Sequence, residues 1–361
     1  ISIPVAIVAG IGRSARNGIL IKGGEYLETS AKISAVAVDK TGTLTEGRPV
    51  LTDIVVLDPK ANRSEVLRWA AAAEAGSEHP LAGPILDTAR EEGVAPEGVP
   101  DSVTPVVGKG IVVEVDGKRV LIGNIPLLEQ YGIEGSAGAD SAADELAAAG
   151  NTPMIVAVDE TVLGVIGVAD TIRVDAPEMI RRLHASGVEK VVMLTGDTRL
   201  VAEAIGEAVG IDEIHASLLP EDKLDAVARL QREGHTVAMV GDGVNDAPAL
   251  ATADIGVAMG AAGSAVAVET ADIALMGDNL LKLPEAIRLA RRTVSVMRQN
   301  IWIALITVVV LLVGVFAGGV TMAVGMLVHE GSVLIVIFNA MRLLRNTHLD
   351  GGTRKDTARD T

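Results

Sequence analysis

The segment with the clearest chemical potential is the heptapeptide Asp-Lys-Thr-Gly-Thr-Leu-Thr at residues 39–45. A short apolar run at residues 33–38 precedes it and predicts a buried strand that ends at Asp39. The turn after this strand offers backbone N–H groups and hydroxyls that can hold a phosphate. A carboxylate at such a turn can act as a covalent nucleophile and form an aspartyl phosphate. The heptapeptide therefore predicts phosphoryl-transfer chemistry with Asp39 as the nucleophile.

Two later segments supply groups that would hold the transferred phosphate. An apolar run at residues 191–194 leads into Thr-Gly-Asp at residues 195–197, which puts a hydroxyl and a turn at the end of a second predicted strand. Lys223 follows Pro220, and a proline at the first helical position predicts a helix start there. The ammonium group of Lys223 is therefore a predicted cation for the phosphate.

A third apolar run, at residues 236–240, ends in Gly-Asp-Gly-Val-Asn-Asp-Ala-Pro at residues 241–248. The two carboxylates of this block would repel a phosphate unless a cation lay beside them. Mg²⁺ is a hard ion that takes six oxygen ligands, and it would bridge Asp39, Asp242 and a phosphate oxygen. The predicted magnesium ligands are Asp39, Thr41 and Asp242, with Asp246 as a further candidate near the site.

In this order the three segments resemble the C-terminal half of a P-type ATPase of the heavy-metal-transporting group, a branch of the haloacid dehalogenase-like superfamily. The resemblance covers nearly all of the 361 residues. Residues 39–45 match the phosphorylation motif, 195–197 the phosphate-contacting motif and 241–248 the hinge motif. The resemblance implies these catalytic residues: Asp39, Lys40, Thr41, Thr195, Gly196, Asp197 and Lys223. It also implies ATP hydrolysis coupled to translocation of a divalent heavy-metal cation, with ATP and Mg²⁺ as cofactors.

Three shorter motifs mark the heavy-metal subgroup: Ser-Glu-His-Pro-Leu at residues 77–81, Gly-Lys-Gly at 108–110 and Ile-Gly-Asn at 122–124. A neutral imidazole can stack on adenine or bond to it, and paired glycines let the backbone approach a ligand closely. A lone Gly-x-Gly is weak support for a nucleotide site, so these motifs gain weight only beside the phosphorylation motif. The resemblance implies that ATP is held by Glu78, His79, Gly108, Gly110 and Asn124. The sequence contains no Walker-type P-loop motif.

Two other functions remain compatible with the motifs. One is a membrane-anchored phosphatase of the same superfamily, and the other is a nucleotide-binding remnant without transport. Phosphatases of this superfamily place a second Asp two residues after the nucleophile, where this chain has Thr41. A hydroxyl cannot act as the general acid and base near neutral pH. Thr41 therefore favours a long-lived phosphoenzyme, as a pump requires.

Composition indicates a membrane component. Hydrophobic residues make up 49% of the chain and the mean hydropathy is +0.39, which is high for a soluble protein. The net charge of −16 argues against nucleic acid as a partner, since no basic domain could neutralise phosphates. The chain has no cysteine, so a disulfide framework is excluded.

Two membrane spans are predicted near the C-terminus. Residues 301–328 carry no charge, and the apolar pattern resumes at residues 333–341. About 20 apolar residues make one span, so the stretch suffices for two helices broken near residues 317–319. Arginines flank both sides, which favours a hairpin with both ends in the cytoplasm. The alternative is a buried helix hairpin of a soluble protein.

His329 and Glu330 fall near the middle of the predicted bilayer, where ionisable groups are costly and mostly functional. Both are ligand types for a borderline divalent ion, and they are assigned to the transported metal. The sequence His-Glu-Gly-Ser resembles the last-helix signature of the cobalt subgroup, whose members in some cases carry zinc or iron. The family pattern usually continues with Thr, whereas Val333 follows here. Asn339 would either join these ligands or pair with a neighbouring helix.

The order of motifs predicts an α/β fold with a doubly wound haloacid dehalogenase-like phosphorylation domain. This domain would comprise residues 30–47 and 163–285, with an inserted α+β nucleotide-binding domain at 48–162 and a transmembrane helix pair at 286–345. Residues 346–361 are predicted to be a disordered tail. Within the insert, residues 112–120 predict a hairpin around Asp116-Gly117, and residues 64–75 a helix capped by Ser64. Residues 135–150 and 174–186 predict further helices.

Residues 1–12 are apolar but too few to span a bilayer, and three basic residues follow by position 22. They are interpreted as the cytoplasmic end of a truncated transmembrane helix, with residues 1–29 as its connector. No basic segment precedes them, so they do not resemble a signal peptide. The resemblance implies that earlier transmembrane helices and an actuator region are missing partners. It implies a multi-pass protein of the cell membrane with cytoplasmic catalytic domains, for which membrane lipid, ATP and a heavy-metal cation are the partners.

Overall fold

The computed structural model describes residues 2–77, 79, 81–133, 137–242, 246–260 and 269–344. Two compact units are present. The first, the hairpin unit, comprises Ile1–Lys32 and Glu285–Thr361, and the second, the catalytic unit, comprises Ile33–Pro284. The predicted tail at residues 346–361 lies outside the described residues.

The strands follow one another along the chain as β1 (Ile19–Ile21), β2 (Ala35–Asp39), β3 (Thr45–Val56), β4 (Ser102–Val106), β5 (Gly110–Val115), β6 (Lys118–Gly123), β7 (Thr152–Val158), β8 (Thr161–Ile172), β9 (Lys190–Leu194), β10 (Glu213–His215), β11 (Val237–Gly241), β12 (Ile255–Ala258) and β13 (Ile273–Leu275). The helices are α1 (Ser2–Arg16), α2 (Gly24–Ser30), α3 (Arg63–Glu74), α4 (Ala82–Glu91), α5 (Ile125–Gln130), α6 (Ala137–Ala148), α7 (Ala176–Ala185), α8 (Arg199–Val209), α9 (Pro220–Arg232), α10 (Ala247–Thr252), α11 (Lys282–Phe316) and α12 (Met322–Met341).

A parallel sheet forms the centre of the catalytic unit. Its strands lie in the order β13, β12, β11, β2, β9, β10, and each neighbouring pair is parallel. The strands β2, β9 and β11 are short apolar runs, as expected of strands buried on both faces. Helices α9 and α10 cover one face through Val227, Leu230 and Leu250. The predicted doubly wound α/β domain is confirmed.

An antiparallel sheet forms the rest of the catalytic unit, in the order β3, β8, β7, β6, β5, β4. Helices α3 and α4 pack on one face around Leu67 and Ile85. Helices α5 and α6 pack on the other face around Leu128 and Leu146. The inserted α+β region is therefore a three-layer structure with two separate apolar cores.

Strands β3 and β8 are long and join the two sheets. Thr45 of β3 pairs with Ile172 of β8, and the pairing continues to Val56 and Gly164. Both predicted domain boundaries, at residues 47 and 162, fall inside these strands. The two sheets are thus connected by a continuous two-stranded ribbon, and the division into domains stays a prediction.

The local predictions hold in part. The hairpin is confirmed, because Val115 pairs with Lys118 and the two turn residues Asp116 and Gly117 have φ of 53° and 70°. The predicted cap of α3 is wrong: Asn62, not Ser64, accepts a hydrogen bond from the Glu65 N–H at 3.0 Å. Asn62 has the extended backbone that a cap needs, whereas Ser64 is already inside the first turn.

In the hairpin unit, α11 and α12 are long and apolar enough to cross a membrane, and only 6% of the most apolar 18-residue window of each helix is buried. Helix α11 ends at Phe316, and Gly318 has a φ of 70° in the turn that follows, so the predicted break near residues 317–319 is confirmed. Asn339 of α12 donates hydrogen bonds to Asn300 (2.9 Å) and Gln299 (3.2 Å) of α11. Of the two roles considered for Asn339, the geometry favours pairing with a neighbouring helix.

Gly108 and Gly110 provide a test of the hairpin packing. Both have positive φ, 72° and 141°, but a Cβ on Gly110 would lie 2.2 Å from the Ile122 carbonyl oxygen of β6, whereas one on Gly108 would meet open space. We expect Gly110→Ala to weaken the β5–β6 pairing by about 2 kcal/mol or more, roughly a 30-fold rise in local opening. Gly108→Ala should cost about 1 kcal/mol, from backbone strain alone.

Hydrogen–deuterium exchange of the amides at residues 110–123, followed by mass spectrometry, measures this difference. Equal exchange in the two variants would show that the close approach of β5 to β6 is not what requires a glycine at position 110.

Candidate active site

The carboxyl ends of β2, β9 and β11 meet at one edge of the parallel sheet. The strands are in phase, since Val38 pairs with both Met193 and Val240. The side chains that follow these strands, Asp39, Thr195 and Asp242, are therefore delivered to the same edge. Open α/β sheets place their ligand sites at this edge.

Asp39 is buried and bonded to a lysine. Its side chain lies at the end of β2, with 6% of the residue exposed. The Lys223 ammonium lies 2.6 Å from Asp39 Oδ1 and 2.8 Å from Asp246 Oδ1. Lys223 is positioned by the first turn of α9, and Asp246 by the start of α10. One cation thus holds two carboxylates together.

The electrostatics of this cluster set the protonation of Asp39. Burial, together with the Asp246 and Asp242 carboxylates, raises the pKa of the Asp39 carboxyl to about 6 against the lowering effect of Lys223. For Lys223, burial lowers the pKa, but the two carboxylates outweigh burial and the net pKa is raised. Lys223 therefore stays protonated and positively charged, whereas Asp39 becomes an anion only above about pH 6.

The turn after Asp39 is fixed to the turn after β9. The Lys40 ammonium forms an ion pair with Asp197 at 2.6 Å, and Asp197 Oδ2 accepts a hydrogen bond from Thr195 Oγ1 at 2.7 Å. Gly42 has a φ of 72°, which lets the chain reverse between Thr41 and Thr45. The ion pair of Lys40 with Asp197 therefore connects the two turns. The backbone at Gly196 lies close to the carbonyl of Leu218, since a Cβ added to Gly196 would be 3.3 Å from that oxygen.

Two residues at the end of β8 hold the same turn and were not predicted. Asp170 accepts hydrogen bonds from Thr45 Oγ1 (2.5 Å), Gly47 N (3.0 Å) and Arg48 N (2.9 Å). The Arg173 guanidinium donates to the carbonyls of Thr45 (3.0 Å) and Gly42 (3.3 Å). The available sequence signal was an Asp and an Arg three residues apart directly after a long apolar strand.

The oxygen donors at this edge suit Mg²⁺. Gly42 lies beside Asp242, since an added Cβ on Gly42 would be 3.9 Å from Asp242 Cβ. Asp39 and Asp242 therefore flank the turn, and a cation between them would relieve the like-charge effect on Asp39. Asp246 bonds to Lys223 instead. Among the described residues, no group of three or more His, Asp or Glu gathers as a metal cluster.

Three of the predicted nucleotide residues lie together around the β5–β6 hairpin. Asn124 Nδ2 donates to the Gly108 carbonyl at 3.0 Å, and Asn124 Oδ1 caps α5 by accepting from Leu127 N at 3.3 Å. Gly110 is required by the backbone of β6, whereas Gly108 faces open space. His79 is exposed, and Glu78 lies outside the described residues.

Glu74, at the end of α3, is a buried acid that was not predicted. Its Oε2 atom has no hydrogen-bond partner among the described residues. Burial raises the pKa of this carboxyl, while a hydrogen bond from Ser77 and the charge of His79 lower it. The sequence signal was a single acid at the end of an alanine-rich helix. A buried carboxyl oxygen that has no partner among the described residues is a candidate contact for a ligand.

His329 and Glu330 are both exposed on α12. Ser332 Oγ donates to the His329 carbonyl at 2.7 Å and so is occupied within the helix. The described part of the chain brings no third acidic or histidine ligand to this pair. The assignment of His329 and Glu330 to a transported metal stays a prediction.

The titration of Asp39 can be measured directly. In metal-free protein labelled with ¹³C at aspartate carboxyls, the resonance lost in Asp39→Asn should titrate with a midpoint near pH 6. Lys223→Met should move the midpoint upward, because the cation that favours the carboxylate is gone, and the charge-preserving Lys223→Arg should leave it close to wild type. An Asp39 midpoint near 4 in the wild-type chain would contradict the burial and charge placement described above.

Comparison with known proteins gives the family. The family described as haloacid dehalogenase-like hydrolase matches residues 33–254, more than half of the chain. A probable cadmium-transporting ATPase of Staphylococcus aureus is 43% identical over 347 residues, covering 96% of this chain and 48% of that protein. A manganese-exporting P-type ATPase of Mycobacterium tuberculosis is 42% identical over 348 residues, with the same coverage.

Comparison with solved structures finds the same kind of relative. A zinc-transporting PIB-type ATPase in the E2.Pi state superposes with a TM-score of 0.75 at 43% identity, covering 96% of this chain and 55% of that one. The chain spans about half the length of the curated relatives it matches. It belongs to the haloacid dehalogenase-like hydrolase family, and the relatives it matches there are heavy-metal-transporting P-type ATPases.

Proposed function

We propose that this chain forms the catalytic part and the last membrane helices of an ATP-driven pump for a divalent heavy-metal cation. The observation that carries the proposal is the buried Asp39 at the end of β2, bonded to Lys223 and facing Asp242 across the turn at Gly42. The Asp39 carboxylate would attack the γ-phosphorus of ATP, forming an Oδ–P bond as the bond to the ADP oxygen breaks. ADP leaves with the electron pair of that bond.

Each neighbouring side chain has a task in this transfer. Lys223 supplies positive charge where the transferred oxygens become more negative. Thr195 and Lys40, through Asp197, hold the two turns that would enclose the phosphate. Asp39 and Asp242, with Thr41, would hold a Mg²⁺ ion, which when bound neutralises phosphate charge and orients the γ-phosphate.

Thr41 favours a pump over the alternative phosphatase. Hydrolysis of an aspartyl phosphate needs a group that takes a proton from water, and the threonine hydroxyl is too weak a base for that near neutral pH. The phosphoenzyme would therefore persist until another part of the protein activates water. Persistence is what allows phosphorylation to drive a conformational change.

The nucleotide would bind to the antiparallel-sheet region. Gly108 faces open space beside Asn124, and Glu74, near His79, has a buried carboxyl oxygen to which no described residue bonds. That oxygen can accept a hydrogen bond from the exocyclic amino group of adenine. With Glu78 and Gly110, these residues form the proposed ATP site.

The membrane part would be the hairpin of α11 and α12, which places His329 and Glu330 within the bilayer. A histidine and a carboxylate suit a borderline divalent ion such as Co²⁺ or Zn²⁺. The relatives are named for cadmium, manganese and zinc, which are also divalent. Ligands from helices outside this chain would complete the site, since relatives are about twice as long.

Labelling with γ-³²P-ATP and Mg²⁺ tests the catalytic assignment. Wild-type protein should retain acid-stable label, and Asp39→Asn should lose it while ATP binding is kept, because only the nucleophilic oxygen is removed. Asp225→Asn, an acid on the same helix as Lys223, is a control that should label normally. Label in Asp39→Asn would refute the assignment, and rapid release of phosphate from wild type would favour the phosphatase.

The nucleotide assignment can be tested separately. His79→Gln should weaken ATP binding to the full chain by about 1–2 kcal/mol, the amount expected for one lost contact. Arg63→Gln, at an exposed position on α3, should leave affinity unchanged. Isothermal calorimetry gives both values, and an unchanged affinity in a folded His79→Gln chain would remove His79 from the site.

A further inference from the structure

The hairpin unit has a charge balance opposite to that of the whole chain. The full sequence carries a net charge of −16. The described residues of the hairpin unit hold nine Lys or Arg but only four Asp or Glu. One of those four acids, Glu330, lies in the middle of α12. A cationic surface on an otherwise acidic protein indicates a negatively charged partner for that surface.

Helix packing brings two arginines to one level of this unit. Helices α1, α11 and α12 share a buried apolar cluster made of Ala6, Ala9, Val296, Met297, Ala340 and Leu343. Arg298 directly follows Met297, and Arg342 directly precedes Leu343. Asn339 of α12 bonds to Gln299 and Asn300 of α11, so Arg342 and Arg298 lie within about one helical turn of each other along the two helices. We call Arg298 and Arg342 the arginine layer.

The arginine layer lies at the edge of the apolar region. Trp302, which is 65% exposed, follows Arg298 by four residues, roughly 6 Å along α11. Tryptophan is enriched at the boundary between hydrocarbon and headgroups. Since the headgroup zone is about 5–8 Å thick on each side, the Arg298 guanidinium would lie at the depth of lipid phosphates when α11 spans a bilayer.

The exposed arginines have the donors that a phosphate requires. Arg298 is exposed, and it forms no ion pair within the described residues. Arg342 is also exposed and donates one N–H to Asn339 Oδ1 at 2.9 Å. A guanidinium carries five N–H donors, so Arg342 can bind a phosphate at the same time. Planar guanidinium groups match phosphate oxygens in pairs.

We propose that the arginine layer preferentially binds anionic phospholipid headgroups around the hairpin. The proposal rests on the membrane-spanning assignment of α11 and α12 made above. A headgroup without its own cation is favoured, because choline or ethanolamine would bring a positive charge toward the two arginines. The preferred partner is therefore a lipid such as phosphatidylglycerol over phosphatidylcholine.

Trp302 is the natural reporter. The chain has two tryptophans, and the other, Trp69, is buried in the catalytic unit. Full chain carrying Trp69→Phe is reconstituted in equimolar phosphatidylglycerol and phosphatidylcholine vesicles, with brominated acyl chains on one lipid or on the other. Bromine quenches tryptophan fluorescence on contact, so the two quenching levels give the relative occupancy of the lipid shell.

We expect brominated phosphatidylglycerol to be favoured by roughly three- to ten-fold at low salt, as charge near an anionic surface predicts. The double variant Arg298→Gln/Arg342→Gln should lower the preference to below about two-fold, and 0.5 M NaCl should do so in the parent protein by screening. Arg288→Gln is the matched control, because it lies ten residues, roughly 15 Å, before Arg298 on α11. It should leave the preference unchanged.

Three outcomes would overturn the proposal. A ratio near one in the parent protein, with strong quenching by both lipids, shows an inserted hairpin without headgroup selection. A preference that survives the double variant, or that Arg288→Gln abolishes equally, shows that the arginine layer is not responsible. Absence of quenching by either lipid removes the membrane-spanning assignment as well, and so separates that failure from the first.

Discussion

The catalytic unit depends on one buried cation. Lys223 lies within 2.8 Å of both Asp39 and Asp246, which are 6% and 3% exposed. Two carboxylates that close in a site shielded from water would otherwise repel each other and take up protons. The positive charge of Lys223 offsets this repulsion. At Asp39, burial still outweighs the effect of Lys223, and the pKa of the Asp39 carboxyl is raised to about 6. The carboxyl of Asp39, the proposed nucleophile, is therefore kept near the pH at which it changes charge, where a bound metal ion would have a large effect on it.

Around this cluster, the structure stabilises a turn that has little regular secondary structure of its own. Residues 40–44 are held from one side by the ion pair of Lys40 with Asp197 and from the other by Asp170 and Arg173. Asp170 lies near the end of β8, which continues from the antiparallel sheet, and Arg173 directly follows that strand. A change in the direction of β8 relative to the parallel sheet would thus act on the hydrogen bonds of the turn that follows Asp39. The ribbon of β3 and β8 is a physical link between the proposed nucleotide site and the proposed phosphorylation site.

The hairpin unit is stabilised by different interactions from the catalytic unit. The most apolar windows of α11 and α12 are only 6% buried, so burial within the chain does not stabilise these windows. Polar contacts are concentrated at one end, where Asn339 bonds to Asn300 and Gln299, and Ser14 and Thr293 are buried. A Cβ on Gly10 would lie 2.6 Å from Thr293 Oγ1, so α1 and α11 approach closely at this level. The hydrogen bonds of Asn339 set the common level of Arg298 and Arg342.

The sequence alone determined the strand that carries Asp39, the parallel sheet, the β5–β6 hairpin and the two apolar helices. It could do so because continuous apolar runs, an Asp-Gly turn and long uncharged stretches each have a local physical cause. It did not reveal the Asn62 cap, because Asn62 and Ser64 are both good caps and the choice depends on where the chain enters the helix. Only the tertiary structure decided that Lys223 bridges two carboxylates and that Asp170 and Arg173 hold the turn. It also decided that Glu74 is buried, with one oxygen that meets no partner in the described part of the chain. These features join residues more than 20 positions apart or depend on burial, and neither separation in space nor exclusion of water can be read from local spacing.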